Sequence, residues 1–358
     1  MDDPQHLLDI AKCYLQQSVS PYAAIIDSDP DALKKALIGL GDLGLLALRV
    51  GSHSGGLDVS QDIFHNFQEL VARYSGALAF LQTQHQSAAA MLGQSQNQFL
   101  QEYLPHLSNG NVLVGVAFSH LRRGDNPVIA VPSAGGYKLE GYVHWVTGFG
   151  LFQEFIVAAV LPDGGAVFGL VPFGETAQGS VGAIKFSQPL ALAAITSTNT
   201  VTATLTGWFL PQERVVSIKP SGWIHENDKK NVLNATGLVL GCATAGLDIL
   251  QAAYFTKPLF FITQAFEKLD RELADCRTAI RHAQQHHESF DKKLQLRAGA
   301  INLAVRCACA AVTVSSGAAN YKHHAAQRVY REALVFTVSG QTTAIMQATL
   351  ARLVGERL

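Results

Sequence analysis

The spacing of apolar residues changes twice along this chain, and that double change restricts the folds open to it. Up to about residue 112 the spacing is helical. Asp31-Ala-Leu-Lys-Lys-Ala-Leu-Ile-Gly-Leu40 and residues 62–74 and 86–103 carry apolar side chains three and four apart. Pro105 and the Ser108-Asn-Gly110 turn end the pattern. Short β-branched or alternating runs then take over at 112–118, 137–142, 155–161, 166–171 and 201–206, separated by Gly, Pro and Asp-Gly turns. After Pro220 four long stretches at 231–254, 258–288, 292–316 and 325–355 are helical again, with no proline beyond Pro258. The pattern predicts an α+β chain in three parts: a helical domain at 1–112, a middle antiparallel β-barrel or sandwich at 113–218, and a four-helix bundle at 219–358.

Five short motifs occur in order across these changes. Leu43-Gly-Leu-Leu-Ala-Leu-Arg-Val50 leads into Ser54-Gly-Gly-Leu57, and Tyr103-Leu-Pro-His-Leu-Ser-Asn-Gly110 precedes the first strand. Trp145-Val-Thr147, Phe209-Leu-Pro-Gln-Glu-Arg-Val215 and the closing run from Arg328 through Arg331-Glu-Ala to Thr342 follow. Together they resemble the acyl-CoA dehydrogenase family over nearly the whole chain. In that family an Arg-Asp/Glu-Ala helix start and a Glu-Gly-Thr turn close a flavin site.

The resemblance implies FAD, with FMN or a loosely held reduced flavin as the alternative. It places Trp145 and Thr147 against the flavin ring and Ser119 on the pyrimidine side. Ser316-Gly317-Ala-Ala319 stands where a neighbouring subunit's Gly-Gly-x-Gly turn reaches the pyrophosphate, and Gln341 and Thr342 lie near the adenosine half. Without the resemblance, Trp145 reads as a core aromatic on a strand and Thr342 as the cap of the final helix.

The departures concern the base. Removing an α-proton from an acyl thioester while hydride passes to a flavin requires a proton acceptor. Gly340 stands where most of the family has glutamate. At the position where a minority carries it instead, this chain has Asn234, followed by Ala235. Among substitutes, His120 has a side chain suited to acid–base work; Glu226 and Asp228 are loop carboxylates. Arg122 or Arg123, in the loop running from His120 to Pro127, either contacts a phosphate or stands exposed. The adenine-holding Arg-x-x-Phe-Gly segment is replaced by a contracted Tyr254-Phe-Thr-Lys-Pro258.

Composition excludes other classes. With 27 Lys+Arg against 28 Asp+Glu there is no electrostatic pull toward nucleic acid or an anionic membrane. No uninterrupted apolar run reaches the length of a membrane span, and Met1–His6 lacks the layout of a secretory signal. Five cysteines without a CxxC pair read as reduced and structural, in a cytoplasmic protein. His282 and His286 share a helix face with no third ligand, so no metal is expected; His323-His324 reads as a loop. Three functions follow: a dehydrogenase of acyl thioesters or related small substrates with a displaced base, a flavin-dependent monooxygenase, or a non-catalytic homologue. A homodimer or homotetramer is expected, since the family's flavin lies between subunits.

Overall fold

The computed structural model describes residues 4–123, 127–179 and 182–356. Its first part is helical: α1 (Pro4–Tyr14), α2 (Ala23–Ile26), α3 (Pro30–Asp42), α4 (Gln61–Tyr74), α5 (Gly76–Gly93), α6 (Gln98–Gln101) and α7 (Leu104–Leu107). Local chemistry sets the starts. The Asp29 carboxylate accepts from the amides of Asp31 and Ala32 with Pro30 in the first turn, and the Ser60 and Ser75 hydroxyls cap α4 and α5. The single helix expected over 86–103 is two: α5 runs from Gly76 to Gly93, and Asn97 caps a separate turn at α6.

Among the described residues nine strands form one sheet: β1 (Val114–Ala117), β2 (Ile129–Ser133), β3 (Gly136–Val146), β4 (Glu154–Val160), β5 (Ala166–Pro172), β6 (Thr176–Gln178), β7 (Gly182–Phe186), β8 (Val201–Pro211) and β9 (Val215–Lys219). The order is β6-β7-β8-β3-β2-β4-β5-β9, with β1 beside β4. The expected all-antiparallel arrangement is corrected to a mixed one. β1 runs parallel to β4 from Val114 opposite Glu154, and Ile129 of β2 pairs parallel with Val160 further along the same edge. Neither pair is joined by a hairpin, which leaves parallel pairing open to them.

Burial explains the apolar run in β4. Phe155, Val157 and Ala159 join the main core, whereas Ile156 and Ala158 face a second core with Ala88, Leu92 and Leu104 of α5 and α7. A strand covered on both sides does not alternate. On the main side, Phe155–Phe173 and Phe149–Phe186 ring centroids lie 5.0 and 5.1 Å apart.

The last part comprises α8 (Trp223–Lys230), α9 (Thr236–Thr256), α10 (Phe260–Gln285), α11 (Phe290–Ser315), α12 (Ala325–Val338) and α13 (Thr343–Leu353). The stretch expected as one helix at 325–355 breaks at Ser339-Gly340-Gln341: Gly340 takes φ +62° and Thr342 starts α13 by accepting from the Ile345 amide. α9 packs on α4, α10, α11 and α12. Its Gly241 and Gly246 allow this, because added Cβ atoms would lie 2.2 Å from the Glu69 carbonyl oxygen and 2.8 Å from the Cys307 backbone. Two segments, Thr236–Thr256 and Phe290–Asn320, have the length and apolar content of a membrane span, which uninterrupted apolar runs in the sequence do not reveal. In this fold they are bundle helices, 56% and 44% buried over their most apolar windows.

Candidate functional site

β1 ends in a short turn, Ser119–Arg122, that packs against β3 and β4. Ser119 is exposed. His120 is buried, donates from Nε2 to the Ala158 carbonyl at 2.8 Å, and leaves Nδ1 without a partner. Burial depresses its pKa to about 4, with His144 and Arg123 adding to the effect against the pull of the Ala158 carbonyl. At neutral pH the ring is therefore uncharged and a weak base.

The same turn lies beside the Trp145 end of β3. The β3–β8 register shifts between Val143 and Val146, so one extra residue on β3 is unpaired. Such a bulge re-aims side chains. His144 packs edge-on to Tyr142 at 4.8 Å, and Trp145 is 45% exposed. Trp145 is thus no core aromatic; its ring is an uncovered apolar surface. Two residues on, Thr147 is buried, and its hydroxyl meets that of Thr200 at 3.0 Å, which in turn meets that of Thr198 at 3.2 Å. This hydroxyl chain fixes the backbone beside Trp145. An open indole next to an ordered polar strand end fits a planar heteroaromatic ring such as a flavin's.

The bundle residues lie elsewhere. Gly317 is exposed in the turn after α11. Ser316 before it takes φ +55° and ψ −143°, a conformation glycine adopts readily and serine at a cost of about 1–3 kcal/mol. Gln341 and Thr342 are half-buried in the α12–α13 turn. That turn is tied to the other end of α11, because Arg297 donates from Nη2 to the Ser339 carbonyl at 2.8 Å. At 1.5 Å per residue, Arg297 and Gly317 are about 30 Å apart along the helix. Among the described residues no hydrogen bond links Trp145 or Thr147 to Gly317, Gln341 or Thr342. Trp145 and Thr147 belong to the sheet, whereas Gly317, Gln341 and Thr342 lie in turns between bundle helices.

The substitute bases are occupied or remote. Arg122 grips Asp228 through two bonds of 2.7 Å, so it is neither a free phosphate ligand nor exposed, and Asp228 is no free base. Arg123 is exposed; Gly124, Asp125 and Asn126 of the same loop lie outside the described residues, as do Met1, Asp2 and Asp3. Glu226 is exposed and pairs with Lys229 at 2.9 Å. Asn234 is exposed before α9 and donates to Asn231 Oδ1. A Cβ built at Gly340 meets nothing within 4 Å. Among the described residues no three His, Cys, Asp or Glu side chains could hold a metal; His282 and His286 stack at 4.2 Å.

The Arg331-Glu-Ala motif sits in the middle of α12 and not at a helix start. Arg331 binds Asp27 at 2.7 Å and the Ala193 carbonyl at 2.8 Å. Glu332, fully buried, accepts from Arg328 at 2.6 Å and from the Gly76 amide at 3.0 Å. Burial pushes its carboxyl above the usual range against the pull of Arg328. Sequence reading missed these contacts, and it missed Arg297. The signal for Arg297 was present: it falls on the stripe Leu294, Arg297–Ala298, Ile301, Ala304, Ala308, where a charge does not belong.

No family model matches the chain. A curated protein, the probable acyl-CoA dehydrogenase YngJ of Bacillus subtilis, is 20% identical over an alignment of 382 positions spanning 98% of this chain and 97% of that protein. The solved acyl-CoA dehydrogenase from Geobacillus kaustophilus superposes with a TM-score of 0.81 at 14% identity, covering 99% of this chain and 98% of its own. KijD3, solved with FMN and a dTDP-linked amino-keto sugar, superposes with a TM-score of 0.76 at 16% identity, covering 100% and 95%. The resemblance carried by the five motifs thus extends through the whole architecture: this chain has the acyl-CoA dehydrogenase fold.

Proposed function

We propose that the chain is a flavin-dependent oxidoreductase that oxidises an acyl thioester or a related small substrate, with FAD as its cofactor. The observation that carries this reading is Trp145, uncovered on the β3 bulge beside the ordered Thr147–Thr200 hydroxyls. Trp145 would cover one face of the ring, Thr147 would address its edge, and Ser119, exposed nearby, would bind its polar rim. Gly317, Gln341 and Thr342 would serve the remainder of the cofactor, in part from a second subunit. A bound flavin supplies the two-electron acceptor, and the chain positions the substrate and moves the proton. Neither Gly340 nor Asn234 can take that proton, and His120, held neutral and hydrogen-bonded to Ala158, is a poor acceptor.

That shortage favours a second reading, a monooxygenase supplied with reduced flavin and oxygen. KijD3, on the same fold, was solved with FMN, which supports a flavin for either reading. A homodimer or homotetramer accompanies both readings, because Phe255, Phe260 and Phe261 project into solvent where α9 meets α10. A cytoplasmic location fits five cysteines that all lack disulfide partners. The division at 112/113 and 218/219 is retained as part of the same reading.

The test is a visible spectrum of the purified protein with FAD and with FMN, repeated anaerobically with acyl thioesters of several lengths. Bleaching by a thioester supports the dehydrogenase. A product formed only with reduced flavin and oxygen supports the monooxygenase. Failure to take up either flavin at micromolar concentration overturns both readings and leaves a binding or assembly protein. Trp145→Ala should weaken flavin binding at least tenfold if the indole covers the ring.

A further inference from the structure

Among the described residues Arg297 is the largest fully buried side chain, 1% exposed in the second turn of α11. A guanidinium carries five N–H donors in a planar fork. Here the observed bond is the one from Nη2 to the Ser339 carbonyl; Nε and Nη1 are buried with no partner. Burial alone lowers its pKa to about 10, with no contribution from any carboxylate, so the group remains a cation at neutral pH. Elsewhere the chain treats arginines differently. Arg73, Arg122, Arg214, Arg277, Arg328 and Arg331, all more exposed than Arg297, each face an Asp or Glu oxygen. A buried cation with one neutral acceptor is costly and is normally answered by an anion.

The surroundings say where that anion would enter. The Ser339 carbonyl belongs to the α12–α13 turn, whose next residue, Gly340, is exposed, takes φ +62° and has open space where a side chain would begin. Arg297 therefore lies one peptide behind the one position of that turn, Gly340, that faces solvent without a side chain. We propose that Arg297 and the Ser339–Thr342 turn form a binding site for a small carboxylate, which enters beside Gly340 and takes the free Nε and Nη1 donors. A carboxylate matches the planar fork and supplies the missing charge. The site shares its turn with the cofactor contacts proposed for Gln341 and Thr342, but the free Nε and Nη1 donors and the open Gly340 are observed independently of that reading.

The experiment uses the full-length protein and sodium acetate as probe, with sodium chloride at equal ionic strength as control. At about tenfold above its Kd, acetate should raise the melting temperature of the wild type by about 2 °C. It should leave Arg297→Met unchanged, although that variant without acetate should already melt above the wild type. In wild-type protein labelled with 15N-arginine, one slowly exchanging Nε–H resonance should shift and saturate on the same titration; this readout does not need the variant to fold. Equal shifts in both proteins, or no acetate effect together with an immobile Nε–H signal, would mean that Arg297 is answered by water alone, and would overturn the proposal.

Discussion

Two guanidinium sites in the helical bundle are built on opposite plans. On α12 each charge has a partner, though Glu332 Oε2 is buried without one: Arg331 meets Asp27 and the Ala193 carbonyl, and Arg328 meets Glu332, which also takes the Gly76 amide. On α11, Arg297 is more deeply buried than either and has one carbonyl. The first site joins elements from all three parts of the chain, since Asp27 also accepts from the Ile195 amide at 2.8 Å. The second joins a helix to the turn where the sequence resemblance leads one to expect a glutamate and this chain has Gly340. The contrast teaches that a motif matched by sequence can turn out to be scaffold, while the chemically unsettled group lies where no motif pointed.

The comparison breaks first at Glu332. Glu332→Ala leaves Arg328 buried and uncompensated, and should lower unfolding stability by about 3–5 kcal/mol in a denaturant titration. A loss under about 1 kcal/mol would mean that the α12 node is not what holds the parts together. Next comes His120, another buried group with an unanswered atom. Its folded pKa of about 4 lies below the unfolded value of 6.5, so it contributes stability that is intact above pH 6.5 and lost as pH falls toward 4. The loss should approach about 3 kcal/mol, and His120→Gln should remove that slope from stability measured between pH 7 and pH 4. His65 and His85, also depressed by burial, add to the loss in the same direction, and His120→Gln leaves their share in place.

Arg297→Met should have the opposite sign to Glu332→Ala, a gain of about 1–3 kcal/mol without any added ligand. A clear loss would erase the distinction between the two sites. Gly340→Glu places a carboxylate on the neighbouring residue at a backbone cost of about 1 kcal/mol, since φ is positive there but the space is open. If a missing base is what limits thioester oxidation, this variant should bleach flavin faster than the wild type in stopped-flow measurements. The smallest effect is expected at Thr342→Ala, about 1 kcal/mol or less through loss of the cap on Ile345, seen as a lower melting temperature.

What the sequence revealed followed the range of its signals. The helices and the longer strands follow spacing that neighbouring residues share, and most of those were legible apart from the breaks after Gly93 and Val338, as was the order of the three parts. β2, β6, β7 and β9 escaped because each is five residues or fewer, and Pro132, Gly182 or polar positions interrupt their alternation. The parallel pairing of β1 escaped because register is decided by partners distant in sequence. At the candidate site, Trp145 and Thr147 were found by motif, but the bulge that turns Trp145 outward depends on β8. Arg331-Glu-Ala was visible as a string; its contacts with Asp27 and Gly76 are set by packing, which one sequence does not display.

Those contacts have a consequence for how the molecule comes into being. Asp27 and Arg331 are 304 residues apart, and Gly76 and Glu332 are 256 apart. At about 5–20 residues per second, a ribosome makes Arg331 roughly 15–60 s after Asp27. Through that interval the N-terminal helices wait without the partner that locks them: the Gly76 amide lacks Glu332, and Asp27 has at most the Ile195 amide. Contacts of such long range also slow folding of the released chain. The α12 segment is therefore made long after the helices that it locks, and those helices must wait for it.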